Sequence, residues 1–250
     1  MVDAAFADPR MARHYDALDP DRSDLDVYAA LVDELGARQV LDIGCGTGTF
    51  ACLLARRGVQ VIGVDPAAAS VDLARAKPGA ERVRWFVGET PSLPPMQVDL
   101  AVMTANVAQV FVDDRSWRET LAAAYERVRP GGHLVLETRV PAYRAWESWV
   151  REQTYAVAPA EGVAEAWQDL LEVAGDPEAP SRAAPLLVTF RGTMVLDAGE
   201  RLESTSTLRF RSRGEVETSL ADEGWTVDEV RDAPDRPGRE WVFLARRGER

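Results

Sequence analysis

Val40-Leu41-Asp42-Ile43-Gly44-Cys45-Gly46-Thr47-Gly48 is the stretch that decides how the chain is read. A short apolar run ends beside an acid, three glycines alternate, and a helical pattern around Phe50–Arg57 follows, closed by Gly58. Glycines at a strand-to-helix junction let the backbone turn tightly and let a ligand approach with no β-carbon in the way. A G-x-G-x-G run alone is weak evidence, but two acids support it. Asp42 stands just before the glycines. Asp65 closes the next apolar run, Val59–Val64, 17 residues past Gly48, the distance of one helix and one strand. A carboxylate there can accept both hydroxyls of a ribose. A pyrophosphate site would want G-x-G-x-x-G. Here the third glycine comes one residue earlier, and the preceding acid repels phosphate and suits a ligand with positive charge.

Outward from this loop, further strand patterns fall at Val83–Val87, Val98–Met103 and His133–Glu137. Helical patterns lie between them, from Pro66 to Lys77 and from a capping box of Ser116 and Glu119 through the stripe Trp117, Leu121, Ala124 and Val128. Strand and helix in alternation predict an α/β fold with a parallel sheet covered on both faces. Residues 1–39 read as a helical cap, with Asp24 as N-cap of a helix ended by Gly36. Residues 40–140 form the core and 141–212 an insertion. A helix is expected around Ala160–Ala174, with Val163, Trp167, Leu170, Leu171 and Ala174 on one face. Alternation at Val188, Phe190, Met194 and Leu196, and again at Leu202, Leu208 and Phe210, predicts an antiparallel hairpin. Its outward residues Arg201, Glu203, Thr205, Thr207 and Arg209 read as a solvated face. Residues 213–250 complete the core sheet, with Ser212 and Glu215 capping a helix and final strands at Thr226–Val230 and Trp241–Ala245.

At these residues the chain resembles a class I S-adenosylmethionine-dependent methyltransferase. VLDIGCGTG is similar to that family's first motif, VIGVDPA to its second, VGETPSLP to its third, VDLAVMTANVAQVF to its fourth, and VRPGGHLVLE to the turn and strand that follow. The resemblance covers roughly residues 35–140. It implies a Rossmann-like seven-strand methyltransferase sheet with helices on both faces and a mixed helix and hairpin insertion after the fifth strand. It implies S-adenosylmethionine as cofactor, S-adenosylhomocysteine as product, and methyl transfer to a small-molecule acceptor by in-line displacement. Gly44, Gly46 and Gly48 would then pass the methionine part, with the backbone of Cys45, and Asp42 would orient the amino group. Asp65 would hold the ribose and Pro66 pack near the adenine. Glu89 and the backbone of Thr90 would read the adenine edge, although the family often has Asp where Glu89 stands. An N-terminal aromatic often closes over the cofactor in this family, and Tyr15 is the candidate.

Other residues carry two readings. Asn106, just past the fourth strand, is a polar contact to cofactor or acceptor, or a turn residue; Gln109 stands one helical turn on. His14 is a base or an exposed cap. Glu137 and Arg139 meet the acceptor or form a surface salt bridge. Trp146, Trp149 and Trp167 line an acceptor pocket or fill a satellite core. His133 begins a strand at the edge away from ligands and reads as structural.

Composition narrows the classes. The 250 residues carry 29 Lys and Arg against 41 Asp and Glu, a formal net charge of -12. That demotes nucleic acid and anionic membranes as partners. Two cysteines make no disulfide framework, no C-x-x-C or H-E-x-x-H metal spacing occurs, and no window suits a membrane span. Cytoplasmic location, no metal, and a monomer or homodimer are the expectations, the dimer because a lone hairpin is marginal. Lys77 and Asn106 are the only residues of their kinds, and Ile43 and Ile62 the only isoleucines, which fits a GC-rich genome. The rival readings are a non-catalytic sensor or partner protein that keeps cofactor binding, and a nucleotide-dependent oxidoreductase.

Overall fold

The central strands are apolar at nearly every position, so successive side chains supply cores on opposite faces. The computed structural model describes residues 2–249, leaving the outermost residue of the 1–39 and 213–250 segments outside the description. The first five strands are β1 (Gln39–Ile43), β2 (Gln60–Asp65), β3 (Val83–Val87), β4 (Val98–Met103) and β5 (Val128–Arg139). Val40, Leu100, Val102 and Val135 point to one face. There they meet Leu25 and Tyr28 of the helix Asp24–Glu34 and Phe50 and Leu54 of the helix Thr49–Arg56. Leu41, Ile43, Met103, Leu134 and Leu136 point to the other. They meet Trp117 and Leu121 of the helix Asp114–Arg127, and Val216 and Leu220 of the helix Arg213–Asp222. Burying one such leucine or tryptophan contributes about 1.5–3 kcal/mol.

The sheet order is β3-β2-β1-β4-β5-β11-β10, where β10 is Trp225–Asp232 and β11 is Glu240–Arg247. The first five strands run parallel, and β11 is antiparallel to both β5 and β10. The order reverses between β1 and β4, so a crevice opens there at the carboxyl edge, where open α/β sheets take ligands.

The insertion departs from the sequence reading. No α-helix forms over 160–174. Val163–Ala174 is strand β7, the second of a four-stranded antiparallel sheet β6-β7-β8-β9 with β6 (Ala156–Ala158), β8 (Leu186–Leu196) and β9 (Arg201–Phe210). The apolar residues of β7 are spaced for a helix, and β-bulges between Val163 and Glu165 and between Leu170 and Glu172 absorb the mismatch by shifting the register against β8. The long pairing with β8 outweighs local helix propensity. The hairpin of β8 and β9 is present, but β7 supplies its partner from within the chain. Arg209 is buried rather than solvated, and Ser204 and Ser206 occupy the inward positions of β9.

Two caps also differ. Asp113, not Ser116, is the N-cap of the helix Asp114–Arg127, its carboxylate accepting from the Ser116 N–H at 2.8 Å. Asp24 is the first helical residue, preceded by Ser23. The expected Ser212 cap forms on Glu215. Ahead of these, three one-turn helices, Ala4–Ala7, Pro9–Ala12 and Tyr15–Leu18, strap the second sheet to the core. Met11 packs with Val163, Met194 and Leu202, and Ser70 of the helix Ala68–Ala76 donates to the Phe6 carbonyl at 2.9 Å. Among the described residues no helix is long and apolar enough to cross a membrane.

Candidate active site

The three glycines after β1 all take left-handed backbone, with φ of 72°, 51° and 79° at Gly44, Gly46 and Gly48. Their surroundings separate their roles. A β-carbon on Gly44 would stand 2.6 Å from Val107, and one on Gly48 2.6 Å from Trp85. Nothing lies within 4 Å of that direction at Gly46, which opens onto a cavity of about 650 Å³. Gly44 and Gly46 line this cavity, while Gly48 lies behind it.

Asp42 and Asp65 face the same space from the ends of β1 and β2. Asp65 accepts from the Gly46 N–H at 2.9 Å through one oxygen and from the Ala67 N–H at 2.8 Å through the other. Each oxygen keeps a lone pair for a ligand hydroxyl. Burial raises the Asp65 carboxyl while those N–H groups hold it down. Asp42 is 1% exposed, and its Oδ2 has no hydrogen-bond partner. Burial, and then the charge of Asp65, push its carboxyl up to about 7. A buried carboxylate oxygen without a donor is costly unless a cationic ligand meets it. The residues thus suit the ammonium and ribose of S-adenosylmethionine. Cys45 also lines the cavity, and burial raises its thiol well above the usual range, so it stays neutral.

Pro66, Gly88, Glu89 and Thr90 continue the wall at the ends of β2 and β3. Tyr15 closes it from the N-terminal strap, tilted against Phe6 with ring centroids 5.4 Å apart. Beside Tyr15, Asp16 fastens the strap to the glycine loop. It accepts from Thr47 Oγ1 at 2.7 Å and pairs with Lys77 Nζ at 2.6 Å.

The remaining wall comes from segments distant in sequence. Val107, Val110, Phe111 and Val112 follow β4, and Thr205 and Thr207 come from β9. Two buried arginines of β9 and its end fix the first group from behind. Arg211 donates to the carbonyls of Ala108 at 3.2 Å and Phe111 at 2.8 Å, and Arg209 to that of Val112 at 3.1 Å. Arg209 also meets Glu215 at 2.6 Å. Sequence reasoning missed this clamp, because alternation along β9 pointed Arg209 outward. It also missed Arg22, the one cationic side chain on the wall among the described residues, bonded to Asp24 at 3.3 Å. Arg22 falls in a polar segment without a motif.

The other sequence candidates lie off the cavity wall. His14 is 5% exposed, and its Nε2 accepts from Arg13 at 2.9 Å, so that nitrogen is already engaged. Burial and Arg13 lower its pKa. Glu137 is wholly buried, bonded to the Tyr28 hydroxyl and to the Asn106 N–H. Burial, then neighbouring Glu240, push Glu137 up to about 7. Asn106 turns away toward Glu240, and Gln109 is bonded to Arg139 at 2.8 Å. Arg139 lies over the Trp149 ring, 5.6 Å from its centroid. Trp146 packs edge-on against Phe210 at 4.7 Å, and Trp149 packs against Phe190 at 4.8 Å, both in a small core under the second sheet. The guanidinium groups of Arg151 and Arg201 lie over the Trp167 ring, 4.0 and 5.3 Å from its centroid.

Known proteins resemble the chain at the same places. The sequence profile of a methyltransferase domain family matches residues 40–132. The trans-aconitate 2-methyltransferase of Deinococcus radiodurans is 35% identical over 115 residues, 45% of this chain and 42% of that protein. The chain thus aligns with well under half the length of that relative. Among solved structures, an S-adenosylmethionine-dependent methyltransferase from Clostridium acetobutylicum aligns over 96% of this chain and 98% of its own. Its TM-score is 0.75 at 14% identity. A SAM-bound amino pentose methyltransferase from Micromonospora echinaspora, involved in calicheamicin biosynthesis, aligns over 91% of this chain and 93% of its own. Its TM-score is 0.61 at 21% identity. A methyltransferase profile over the glycine-loop segment and a methyltransferase fold along nearly the whole length support reading the chain as a class I S-adenosylmethionine-dependent methyltransferase.

Proposed function

We propose that the protein transfers a methyl group from S-adenosylmethionine to a small acceptor that is uncharged or carries an amine. The observation that carries the cofactor half is the partnerless Asp42 Oδ2 beside Asp65 on the glycine-loop cavity. Asp42 would accept from the methionine ammonium, Asp65 from the ribose hydroxyls, and Arg22 would meet the methionine carboxylate. Glu89 and the backbone of Thr90 would read the adenine edge. When bound, S-adenosylmethionine supplies a methyl already activated on a sulfonium. The chain's task is then to align the acceptor and exclude water, and proximity and orientation can supply about 7–11 kcal/mol. Tyr15, Phe6, Val110 and Phe111 would exclude water, and the Thr205 and Thr207 hydroxyls would orient the acceptor.

The acceptor's charge follows from the wall. On the side left for the acceptor, Asp3 and Asp113 face the cavity, while Arg22 shares its charge with Asp24. Such a wall repels a second anion and attracts a cation. It fits an acceptor of the amino pentose kind better than a polycarboxylate such as trans-aconitate, to whose methyltransferase the aligned part of the chain is related.

The test has two stages. Calorimetry with S-adenosylmethionine, S-adenosylhomocysteine and NADH should give micromolar binding of the first two, lost in Asp65→Ala. A preference for NADH would sink the cofactor assignment. A screen of amines, alcohols and carboxylic acids, read by S-adenosylhomocysteine release, should then find turnover among the first two groups. Faster turnover of a carboxylate would overturn the acceptor class alone.

A further inference from the structure

Ala105 and Asn106 both hold left-handed backbone, with φ of 53° and 60°. Among the described non-glycine residues only Arg144 does the same. Such a conformation persists where its surroundings over-determine it, and asparagine tolerates it better than other L-residues. Here the surroundings are two carboxylates. The Asn106 N–H donates to Glu137 Oε1 at 3.0 Å, and its Nδ2 donates to Glu240 Oε1 at 3.1 Å. Glu137 lies on β5 and Glu240 opens β11, and both are buried. Tyr28 donates to the second oxygen of Glu137, and Arg236 stands 3.3 Å from Glu240. None of these side chains lines the cavity, but the backbone they hold does, through Thr104, Ala105 and Val107. Val107 in turn closes on Gly44.

We propose that Asn106 is a positioning residue for the cofactor site. Anchored by Glu137 and Glu240, it fixes the turn Thr104–Val107 in the shape that seats Val107 against the glycine loop. This explains why the sole asparagine of the chain stands at a point that touches no ligand space. The proposal rests on the cofactor reading of the cavity.

The experiment compares S-adenosylhomocysteine affinity by calorimetry, and amide exchange over residues 104–109 of the ligand-free protein, in four proteins. These are the wild type, Asn106→Ala, Asn106→Gly and Leu121→Val, the last a core variant that lowers stability elsewhere. Asn106→Ala should weaken binding about tenfold and speed exchange in the turn. Asn106→Gly, free to hold the left-handed backbone, should stay within about threefold of wild type. Leu121→Val should leave affinity unchanged. The proposal is overturned if Asn106→Ala binds like wild type, or if affinity in all three variants falls in step with melting temperature. Should Asn106→Ala not fold, Asn106→Ser, which also lacks the amide donor, is read the same way. A wild type that binds no S-adenosylhomocysteine removes the cofactor reading and this proposal together. Normal wild-type binding with an unaffected Asn106→Ala removes this proposal alone.

Discussion

The two halves of the cavity are built in opposite ways. The half proposed for the cofactor comes almost entirely from one stretch, residues 42 to 90, where strand ends present backbone N–H groups and carboxylates at fixed spacing. The half proposed for the acceptor is gathered from the N-terminal strap, the loop after β4 and one edge of the second sheet. A site made of consecutive strand ends inherits its geometry from sheet register. A site gathered from distant segments depends on the packing that holds them, here Met11 against the second sheet and the clamp of Arg209 and Arg211. Changes in the first half should therefore act directly on cofactor binding, and changes in the second on the acceptor.

The sharpest break in that comparison is Asp65→Ala. It removes the carboxylate proposed to accept two ribose hydroxyls and should weaken S-adenosylhomocysteine binding on the order of 100-fold, about 2.7 kcal/mol, by calorimetry. Next comes Gly44→Ala, which meets Val107 at 2.6 Å on left-handed backbone. It should cost about 2 kcal/mol of folding stability in a denaturant titration, while Gly46→Ala, facing open space, should cost about 1 kcal/mol. The acceptor half gives a smaller, separable effect. Thr205→Val with Thr207→Val should leave S-adenosylhomocysteine affinity within about twofold, yet lower kcat/KM for an accepted substrate about tenfold. Equal losses in both quantities would show that the halves are not independent.

A pH dependence should also come from Asp42 on the cavity wall and from Glu137 in the buried anchor. Asp42 and Glu137 each stand at about 7 in the folded chain, well above the unfolded carboxylate range of about 4. Between those values the native state keeps protons that the unfolded chain has released. Stability without ligand should therefore fall as pH rises from about 4 to about 7, then level off. The melting temperature should drop over that range, and Asp42→Asn should flatten part of that fall.

The same contrast explains what could be read in the sequence. The glycine loop, Asp42 and Asp65 are legible because a strand, a tight turn and a helix fix their spacing within one unit. The alternation of apolar runs and helical stripes likewise carries the sheet. Val163–Ala174 was not legible, because its apolar residues follow a helical period and only bulges against β8 let them serve a strand. Asn106 and Glu137 stood out by position, but their mutual bond joins β5 to the turn after β4 across 31 residues. No local pattern records such a contact. Arg22, Thr205 and Thr207 reach the cavity only once the strap and the second sheet have docked.

The place of β11 has a consequence for how the chain is made. It follows every other strand in the sequence, yet it is wedged between β5 and β10. On a ribosome, five parallel strands can assemble while β5 still carries a bare edge and β10 has nothing to pair with. Glu240, the first residue of β11, arrives with the strand that covers this edge, so the anchor of Asn106 is set at the same moment. A nascent chain stalled before Glu240 presents that open edge to its neighbours on the same message, a template for pairing between copies.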